Sequence, residues 1–503
     1  MKADLKKKEK YLILILILVI IASLFVLEVL ARKKILNQEL SRKMLHIISV
    51  FSAGYSFLII SDNTIIVLIG CLAFLLLYSL IKLKIISSIE NRDRKSWGIL
   101  FIALAYTILG MIWNNDNHWV PFLSFIILAF ADSFAGVFGS QFSQRFFNIT
   151  NDRKSILGSL VFFITSILVF LIFYYTPITK YFFPNVNLIP ASNYYFLAIV
   201  LISMILTIIE AISSNGSDNL FIPIATSVLI YFLLQQKNYG LIINFSVAVL
   251  LAFLIGVLSY KFKFLTISGS VMTFLLAVMI YGFGTWKWTL PILIFFVISS
   301  FLSAFRKRKN YSVESYFEKS GTRDHLQVIS NGGFAGLLII FYQFNPDEVL
   351  YLMYLSAIAA VCADTWSTEI GTMRKHKTFN ILNFREMEQG ISGGISIAGT
   401  IGGLSGAVII ALSGLYWYRT EVIFTILIIS IVGLAGSLFD SLLGATLQAQ
   451  YQCPLCHKII EKKIHCNQKT IFMRGIKIFD NDLVNFSTSI FGALIFFILR
   501  MVY

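Results

Sequence analysis

The stretch VFFITSILVFLIFYY (residues 161–175) carries no charged side chain and lies within an apolar segment near residues 156–176. About 20 apolar residues cross the hydrocarbon layer of a bilayer as a helix, and a helix satisfies its own backbone groups there. Similar segments recur along the 503-residue chain, of which 57% is apolar and 13% charged. The sequence therefore predicts an all-α polytopic membrane protein with about 15–16 transmembrane helices in two related tandem helical bundles.

The expected spans share a length near 20 residues and few charges. They lie near residues 11–31, 44–60, 64–84, 97–113, 119–138, 156–176, 194–212, 219–236, 241–259, 266–282, 288–304, 331–343, 348–370, 391–413, 421–447 and 483–502. The domain organisation expected around them is an N-terminal basic segment with the first membrane helix (1–39), a first membrane domain (40–260) and a second (261–503) with a Cys/His cytoplasmic loop at 449–482.

The net charge of +15 is explained by topology rather than by nucleic-acid binding. If the loop at 32–43 is cytoplasmic, alternate loops carry about 30 Lys and Arg residues and the others a handful, which fits the positive-inside rule. This orientation predicts that the sites of this multi-pass membrane protein face the cytoplasm. The expected location is a bacterial inner membrane. The lysines of MKADLKKKEK (1–10) conflict with it, because they would lie outside.

An acidic motif occurs twice, in AFADSFAGVFG (129–139) and in VCADTWSTEIG (361–371). RKMLHIIS (42–49) precedes the first copy and RDHLQVIS (323–330) precedes the second, and a further acid near the end of a span follows each copy. This shared order predicts a tandem arrangement. The alternative is a chance recurrence of small residues beside acids in a glycine-rich membrane chain.

Acidic side chains at membrane depth are costly and usually have a partner or a function. Carboxylates at helix ends suit Mg²⁺, which keeps several waters and bridges nucleotide phosphates. Capping or ion pairing with nearby Lys and Arg is the alternative. The candidate catalytic or magnesium-binding acids are Asp132, Glu210, Asp218, Asp364, Glu369 and Asp440, and FDNDLVNF (479–486) adds Asp480 and Asn481.

Basic and small residues near these acids suggest phosphate binding. KSILGS (154–159) places a lysine and two serines before a helix, whose N-terminus favours anions. QGISGGIS (389–396) is the glycine-rich counterpart, in which packing is the alternative role. The candidate nucleotide or phosphate ligands are Arg42, Lys43, Lys154, Ser155, Ser159, Asn219, Arg323, Gly393 and Gly394. His46 is a candidate base for a substrate hydroxyl, or else a hydrogen-bond donor.

CPLCHKIIEKKIHC (453–466) is a candidate zinc site. Its possible ligands are Cys453, Cys456, His465 and Cys466, of which the CxxC pair is a good chelate. The adjacent His465 and Cys466 would strain a tetrahedral site, so reduced thiols remain the alternative.

These strings resemble known families. RKMLH, ADSFAGVFGSQF, KSILGS and Glu210 through SDNLFIP resemble the CTP-dependent polyprenol kinases, which include phytol kinase and dolichol kinase and are relatives of the phosphatidate cytidylyltransferases. LTISGS, RDHLQVISNGG, ADTWSTEIG, GISGGISIAGT, FDSLLGATLQ, CPLC…HC and DNDLVNF resemble the membrane family that contains phytyl-phosphate kinase. The second half departs from that family's pattern, because Glu388 and Gln389 stand where a threonine and an asparagine are usual.

The resemblance implies a bifunctional fusion enzyme. The first half would phosphorylate an isoprenoid alcohol such as phytol or geranylgeraniol with CTP, and the second would phosphorylate the isoprenyl monophosphate. It implies nucleotide and metal roles for Asp132, Lys154, Glu210, Asp218 and Asn219 in the first site, and for Asp364, Glu369, Asp440, Asp480 and Asn481 in the second. Phosphoryl transfer needs mainly positioning and charge neutralisation, which acids, Mg²⁺ and a few cations supply. The alternatives are a CTP-dependent lipid cytidylyltransferase and a transporter with tandem repeats.

Overall fold

The computed structural model describes residues 38–83, 97–176, 193–235, 239–310, 322–418 and 421–502, with isolated positions at 11, 15, 22, 26 and 316. The expected first span near 11–31, most of the N-terminal basic segment and the loop at 84–96 lie outside these ranges.

Helices make up 75% of the structure, which confirms the predicted all-α polytopic class. Within the described ranges, 11 helices are long and apolar enough to cross a membrane. The spans expected at 97–113 and 219–236 are shorter apolar helices, Gly98–Ile112 and Asp218–Leu234. Those expected at 266–282 and 288–304 lie on either side of a break at Thr285, within Ile267–Lys309. The segment near 44–60 lies in Gln38–Ile59, which carries more polar residues than a typical span.

The chain divides into two compact units between Ile243 and Asn244. The first contains α1 (Gln38–Ile59), α2 (Asn63–Lys82), α3 (Gly98–Ile112), α4 (Trp119–Ile127), a π-helical turn (Leu128–Asp132), α5 (Ser133–Phe142), the hairpin β1 (Phe146–Asn148) and β2 (Arg153–Ser155), α6 (Ile156–Tyr175), α7 (Asn193–Ile212) and α8 (Asp218–Ile230) with a π-helical turn (Tyr231–Gln235). A ninth helix, α9 (Tyr239–Lys261), contains the division. The expected domain boundary at 260/261 lies at the end of that helix.

In the first unit, α4, the π-helical turn and α5 form one continuous span, Trp119–Phe142. It packs against α1, α6 and α8, and α7 packs against α6 and α8. This packing brings the ends of four helices and the β1–β2 hairpin toward Asp132.

The second unit contains α10 (Ile267–Lys309), α11 (His325–Phe344), α12 (Glu348–Gly371), β3 (Thr378–Asn380), β4 (Glu386–Met387), β5 (Gly394–Ile395), α13 (Ile397–Leu415), α14 (Val422–Thr446), β6 (Gln450–Gln452), β7 (Ile459–Ile460), β8 (Ile464–His465), β9 (Gln468–Lys469), β10 (Ile471–Arg474) and α15 (Asn481–Val502). The strands form small antiparallel sheets in the connections, ordered β4-β3-β5, β10-β6-β7 and β8-β9.

Helix α12 is the centre of the second unit and packs against α10, α11, α13, α14 and α15. In the apolar stretch of this helix, 78% of the residues are buried. Glycines on α13 allow the closest approach: a Cβ on Gly403 would lie 2.9 Å from the Ala363 carbonyl oxygen, and one on Gly406 3.1 Å from the Trp366 ring. The stretch Gly399–Gly406 therefore serves helix packing, the role that the sequence favours for these glycines.

The break in α10 is supported by tyrosines of α12. Thr285 has φ 53°, and Pro291 lacks the N–H that would reach the Lys287 carbonyl four residues earlier. The Tyr351 hydroxyl donates to that carbonyl at 3.0 Å and lies 2.8 Å from the Gly414 oxygen. An unpaired carbonyl is costly in an apolar bundle, so this hydroxyl stabilises the broken helix.

Replacement of Tyr351 with Phe should lower stability by about 1–3 kcal/mol, because the single hydroxyl proton that serves these carbonyl oxygens is lost while ring packing is kept. Thermal unfolding in detergent would measure the change. Tyr416→Phe is the control, since that side chain is 80% exposed. Equal midpoints for Tyr351→Phe and wild type would refute this account of the break.

Candidate functional site

In the first unit, Asp132 lies at the junction of the π-helical turn and α5. Lys43 of α1 donates from Nζ to Asp132 Oδ2 at 2.9 Å, and His46 Nε2 lies 3.5 Å from the same oxygen. Gly136 allows the lysine to reach the acid, since a Cβ there would lie 2.4 Å from Lys43 Cε. The predicted residues Lys43, His46 and Asp132 thus form one contact group.

A second contact group centres on Lys154, the middle residue of β2. Its Nζ lies 2.6 Å from Glu210 Oε1 at the end of α7 and 3.6 Å from Asp218 Oδ2 at the start of α8. These two carboxylates raise the pKa of Lys154 above its usual value, although burial opposes them. The ammonium therefore stays charged throughout the neutral range.

The two groups form one site, which we call the six-charge cluster: Lys43, His46, Asp132, Lys154, Glu210 and Asp218. Asp132 is close enough to Lys154 and Asp218 for electrostatic interaction with both. Four buried polar atoms have no hydrogen-bond partner among the described residues: His46 Nε2 and Glu210 Oε2 of the cluster, and Ser133 Oγ and Ser159 Oγ, which follow Asp132 and Lys154 in the chain. Such atoms suit a polar ligand, since an unsatisfied buried group costs about 1–3 kcal/mol.

Close backbone packing fixes the N-terminus of α6 beside this cluster. Ser155 caps α6 and accepts from the Gly158 N–H at 3.0 Å. A Cβ on Gly139 would lie 2.5 Å from Ser155 Oγ and 3.2 Å from Gly158 Cα. The hydroxyl of Ser155, a predicted phosphate ligand, is therefore the N-cap of α6 in this structure.

The other predicted residues of the first unit lie around the six-charge cluster. Arg42 is exposed. The Asn219 side chain donates to the Gly98 oxygen at 3.1 Å, and its backbone N–H donates to Asp218 Oδ1 at 3.0 Å. Asp218 is the first residue of α8, after Ser217, rather than its cap.

The same local arrangement recurs in the second unit. Ser396 caps α13 and accepts from the Gly399 N–H at 3.1 Å, and a Cβ on Gly371 would lie 3.1 Å from both Ser396 Oγ and Gly399 Cα. Gly371 follows Asp364 by the interval that separates Gly139 from Asp132. In this register Ile395 stands where the first unit has Lys154.

The acids of the second unit pair with each other. Asp364 of α12 and Asp440 of α14 lie close enough for electrostatic interaction, and Thr488 of α15 donates to Asp440 Oδ2 at 3.0 Å. Glu461 lies close enough to Asp364 for electrostatic interaction and accepts a hydrogen bond from the Ser392 hydroxyl. These three acids bring several carboxylate oxygens together, a donor set that suits a divalent cation.

Glu369, predicted as a metal ligand, accepts from two groups of α10. Arg306 Nε donates to Oε2 at 2.5 Å, and the Ser303 hydroxyl donates to Oε1. Arg323 is near enough to Glu369 for electrostatic interaction, and its backbone bonds to Phe264 and Thr266. A buried glutamate held in this way is part of an ion pair that joins α10 to α12.

The remaining predicted residues of the second unit have backbone or capping contacts. Gly393 has φ 89°, and a Cβ added at this position would lie 2.6 Å from Ala445 Cβ. A Cβ on Gly394 would lie 2.7 Å from Thr378 Cγ2. Asp480 Oδ1 accepts from the Leu483 N–H at 3.0 Å, at the start of α15, which begins at Asn481.

The Cys/His loop gathers its four predicted residues. The ligand atoms of Cys453, Cys456, His465 and Cys466 lie within 4.8 Å of one another, a group that can hold a metal ion. Hydrogen bonds from the Cys456 backbone and from His465 lower the pKa of Cys453 to about 6. A lowered pKa favours the thiolate, which is the form of cysteine that binds a metal ion.

Three contact residues were not identified from the sequence: Arg306, Glu461 and Thr488. Arg306 lies in a run of four basic residues at the end of α10, which the positive-inside rule explains without a specific contact. Glu461 lies between lysines in the Cys/His loop, and Thr488 is one of several small polar residues within a span. Their partners are 63, 69 and 48 residues away, so only the fold reveals them.

Replacement of Lys154 with Met should destabilise the protein by about 3–5 kcal/mol, because two buried carboxylates lose their cation. A second change, Glu210→Gln, should recover part of that loss. Denaturant unfolding of both variants would measure this, with the exposed Lys261→Gln as control. A double variant no more stable than Lys154→Met would contradict the pairing.

Comparisons with known proteins agree with the membrane class. Residues 250–493 match the family model described as integral membrane protein DUF92. Protein PGR of Arabidopsis thaliana is 28% identical over 263 residues, 48% of this chain and 90% of that protein. The phytol kinase of Synechocystis is 26% identical over 208 residues, 40% of this chain and 82% of that protein.

An uncharacterized membrane protein of Methanocaldococcus jannaschii is 28% identical over 209 residues, 41% of this chain and 84% of that protein. No solved structure matches the chain. The chain is therefore a multi-pass membrane protein related to the integral membrane family whose model matches its second half.

Proposed function

We propose that this chain is a membrane isoprenoid kinase, in which the first unit transfers a phosphoryl group from CTP to an isoprenoid alcohol and the second phosphorylates the resulting monophosphate. The observation that carries the proposal is the six-charge cluster, in which cations and carboxylates of distant segments meet beside unpartnered buried polar atoms. The similarity to a phytol kinase supports the alcohol as acceptor.

In the first unit, Glu210 and Asp218 would hold Mg²⁺ together with the nucleotide phosphates. The orphaned Glu210 Oε2 fits this role, because its partner oxygen is already bound to Lys154. When bound, the cation neutralises charge on the transferred phosphoryl group. Lys154 would then bind a phosphate oxygen while still balancing the two acids.

His46 and Asp132 would orient the acceptor hydroxyl. The unpartnered His46 Nε2 lies beside Asp132, so the imidazole can accept the hydroxyl proton while the carboxylate stabilises the resulting imidazolium. Lys43 keeps Asp132 ionised by direct contact. The prenyl tail would extend along the apolar helix surface into the bilayer.

The second unit would use a different charge arrangement. Asp364, Asp440 and Glu461 offer carboxylate oxygens without a lysine at the position of Lys154. This set would bind a cation that brings the nucleotide with it, and Asp480 and Asn481 are proposed as further ligands. The donor nucleotide of this unit is proposed to be CTP, by analogy with the first.

The test is to incubate detergent-purified protein with phytol, geranylgeraniol or farnesol, Mg²⁺ and each labelled nucleotide, and to separate monophosphate from diphosphate. Release of CDP supports a kinase. Release of pyrophosphate would instead support the cytidylyltransferase alternative. Transport of a labelled substrate into vesicles without any phosphorylated product would support a transporter.

Asp132→Asn should lower monophosphate formation by about 100-fold or more, because the pair that receives the hydroxyl proton is lost. The matched control is Asp116→Asn, an exposed aspartate before α4, at the opposite end of the span that carries Asp132. Control activity should stay within about 2-fold of wild type. Full activity of Asp132→Asn would remove the first unit from the proposal.

Asp364→Asn should leave monophosphate formation unchanged and make the monophosphate accumulate, because only the second carboxylate set is altered. Its matched control is Glu348→Gln, an exposed acid at the opposite end of α12. Diphosphate formation by Asp364→Asn at the wild-type rate would show that the second transfer does not use this site.

A further inference from the structure

We propose that the loop between α14 and α15 binds one zinc ion through Cys453, Cys456, His465 and Cys466, and that this zinc holds the hairpin that keeps Glu461 beside Asp364. The metal would be structural. It is separate from the proposed magnesium sites, and the proposal stands whether or not the chain is a kinase.

The ligand atoms have the spacing of a tetrahedral site. His465 Nδ1 lies 3.5 Å from Cys456 Sγ and 3.2 Å from Cys466 Sγ, and all four ligand atoms lie within 4.8 Å of one another. Zinc bonds of about 2.3 Å to sulfur and 2.0 Å to nitrogen separate tetrahedral ligands by roughly 3.5–3.8 Å. Small side-chain adjustments therefore suffice to bind the ion.

The backbone removes the strain expected for adjacent ligands. Cys466 has φ 50° and the following Asn467 has φ 58°, so the chain turns sharply at the tip of the β8–β9 hairpin. This turn lets His465 and Cys466 approach the same point from neighbouring positions. A left-handed conformation is uncommon in non-glycine residues and costs energy, which metal binding can offset.

The CxxC half forms a turn at the tip of the β6–β7 hairpin. Cys453 and Lys458 are joined by a backbone hydrogen bond of 3.0 Å, and the His457 N–H donates to the Cys453 oxygen, also at 3.0 Å. Three sulfur donors and one imidazole favour zinc over magnesium, which prefers oxygen. The lysines at 458, 462, 463 and 469 offset the negative charge that three thiolates bring.

The zinc site connects to the acids through a short stretch of chain. Strand β7 ends at Ile460, and the next residue, Glu461, bonds to Ser392 and interacts with Asp364. On the other edge of the sheet, Arg474 of β10 donates to Gln450 Oε1 and to the Ala445 oxygen, both at 2.9 Å. The sheet is thus attached to the end of α14, and zinc would fix its free tip.

The first test measures metal content. Full-length protein purified in detergent and dialysed against metal-free buffer should retain about one zinc per chain by mass spectrometry, whereas Cys453→Ser/Cys456→Ser should retain less than about a tenth of that. Cys71→Ser is the matched control, because this thiol lies in α2, away from the loop. Wild-type protein with no more zinc than the double variant would overturn the site.

The second test uses only wild-type protein, so it does not depend on the folding of a variant. A zinc chelator should speed tryptic cleavage at the loop lysines at least about 10-fold, because metal binding is coupled to local folding. Re-addition of zinc should restore protection, whereas Mg²⁺ should not. Unchanged cleavage after the zinc has been removed would overturn the role of zinc in holding the hairpin.

Discussion

A charged side chain inside an apolar helical bundle requires an opposite charge or a ligand, and the first unit meets this requirement at Lys154. Its ammonium lies between Glu210 and Asp218, which come from the end of one helix and the start of the next. Removal of the lysine leaves two buried carboxylates uncompensated. Nucleotide with Mg²⁺ would enter without breaking this balance, since its phosphates pair with the lysine and its cation with the acids. A site in which the ligand replaces contacts between the lysine and the acids must hold these ionised side chains before the ligand binds.

The two units share a backbone device but differ in charge. In both, a glycine seven residues after the acid packs against a serine-capped helix start, through Gly139 with Ser155 and Gly371 with Ser396. The two lysines of the six-charge cluster have no counterparts, because Asp324 and Ile395 stand in the positions of Lys43 and Lys154. Asp364 and Asp440 lie close enough to repel each other when both are ionised, and a divalent cation would offset that repulsion. A monophosphate acceptor, already negative, would fit a site that recruits more positive charge from solution.

The sequence predicted the features that depend on local chemistry. Apolar runs located the helices, and the cost of acids in apolar segments pointed to Asp132, Glu210 and Asp218, although Asp132 lies within the span Trp119–Phe142 rather than at its end. It could not predict which carboxylate belongs to the proposed site and which to an ion pair. Asp364 and Glu369 lie on the same helix, and only the fold shows that Asp364 faces α14 whereas Glu369 faces α10. Arg306 decides that difference, and it resembled ordinary loop charge in the sequence. The break at Thr285 falls between the two spans expected from hydropathy at 266–282 and 288–304, whereas the bond from the Tyr351 hydroxyl to the Lys287 carbonyl follows only from the fold.

Hairpins between the helices position charged residues of both candidate sites. In the first unit β2 supplies Lys154 to acids at helix ends, and in the second β7 ends beside Glu461. A hairpin of two or three residues per strand has little stability of its own. The first is fixed by the ion pairs of the lysine it carries. The second carries a carboxylate toward other carboxylates, so electrostatic repulsion opposes its position and an independent attachment is required. Among the described residues, the thiol and imidazole group at its tip can provide that attachment.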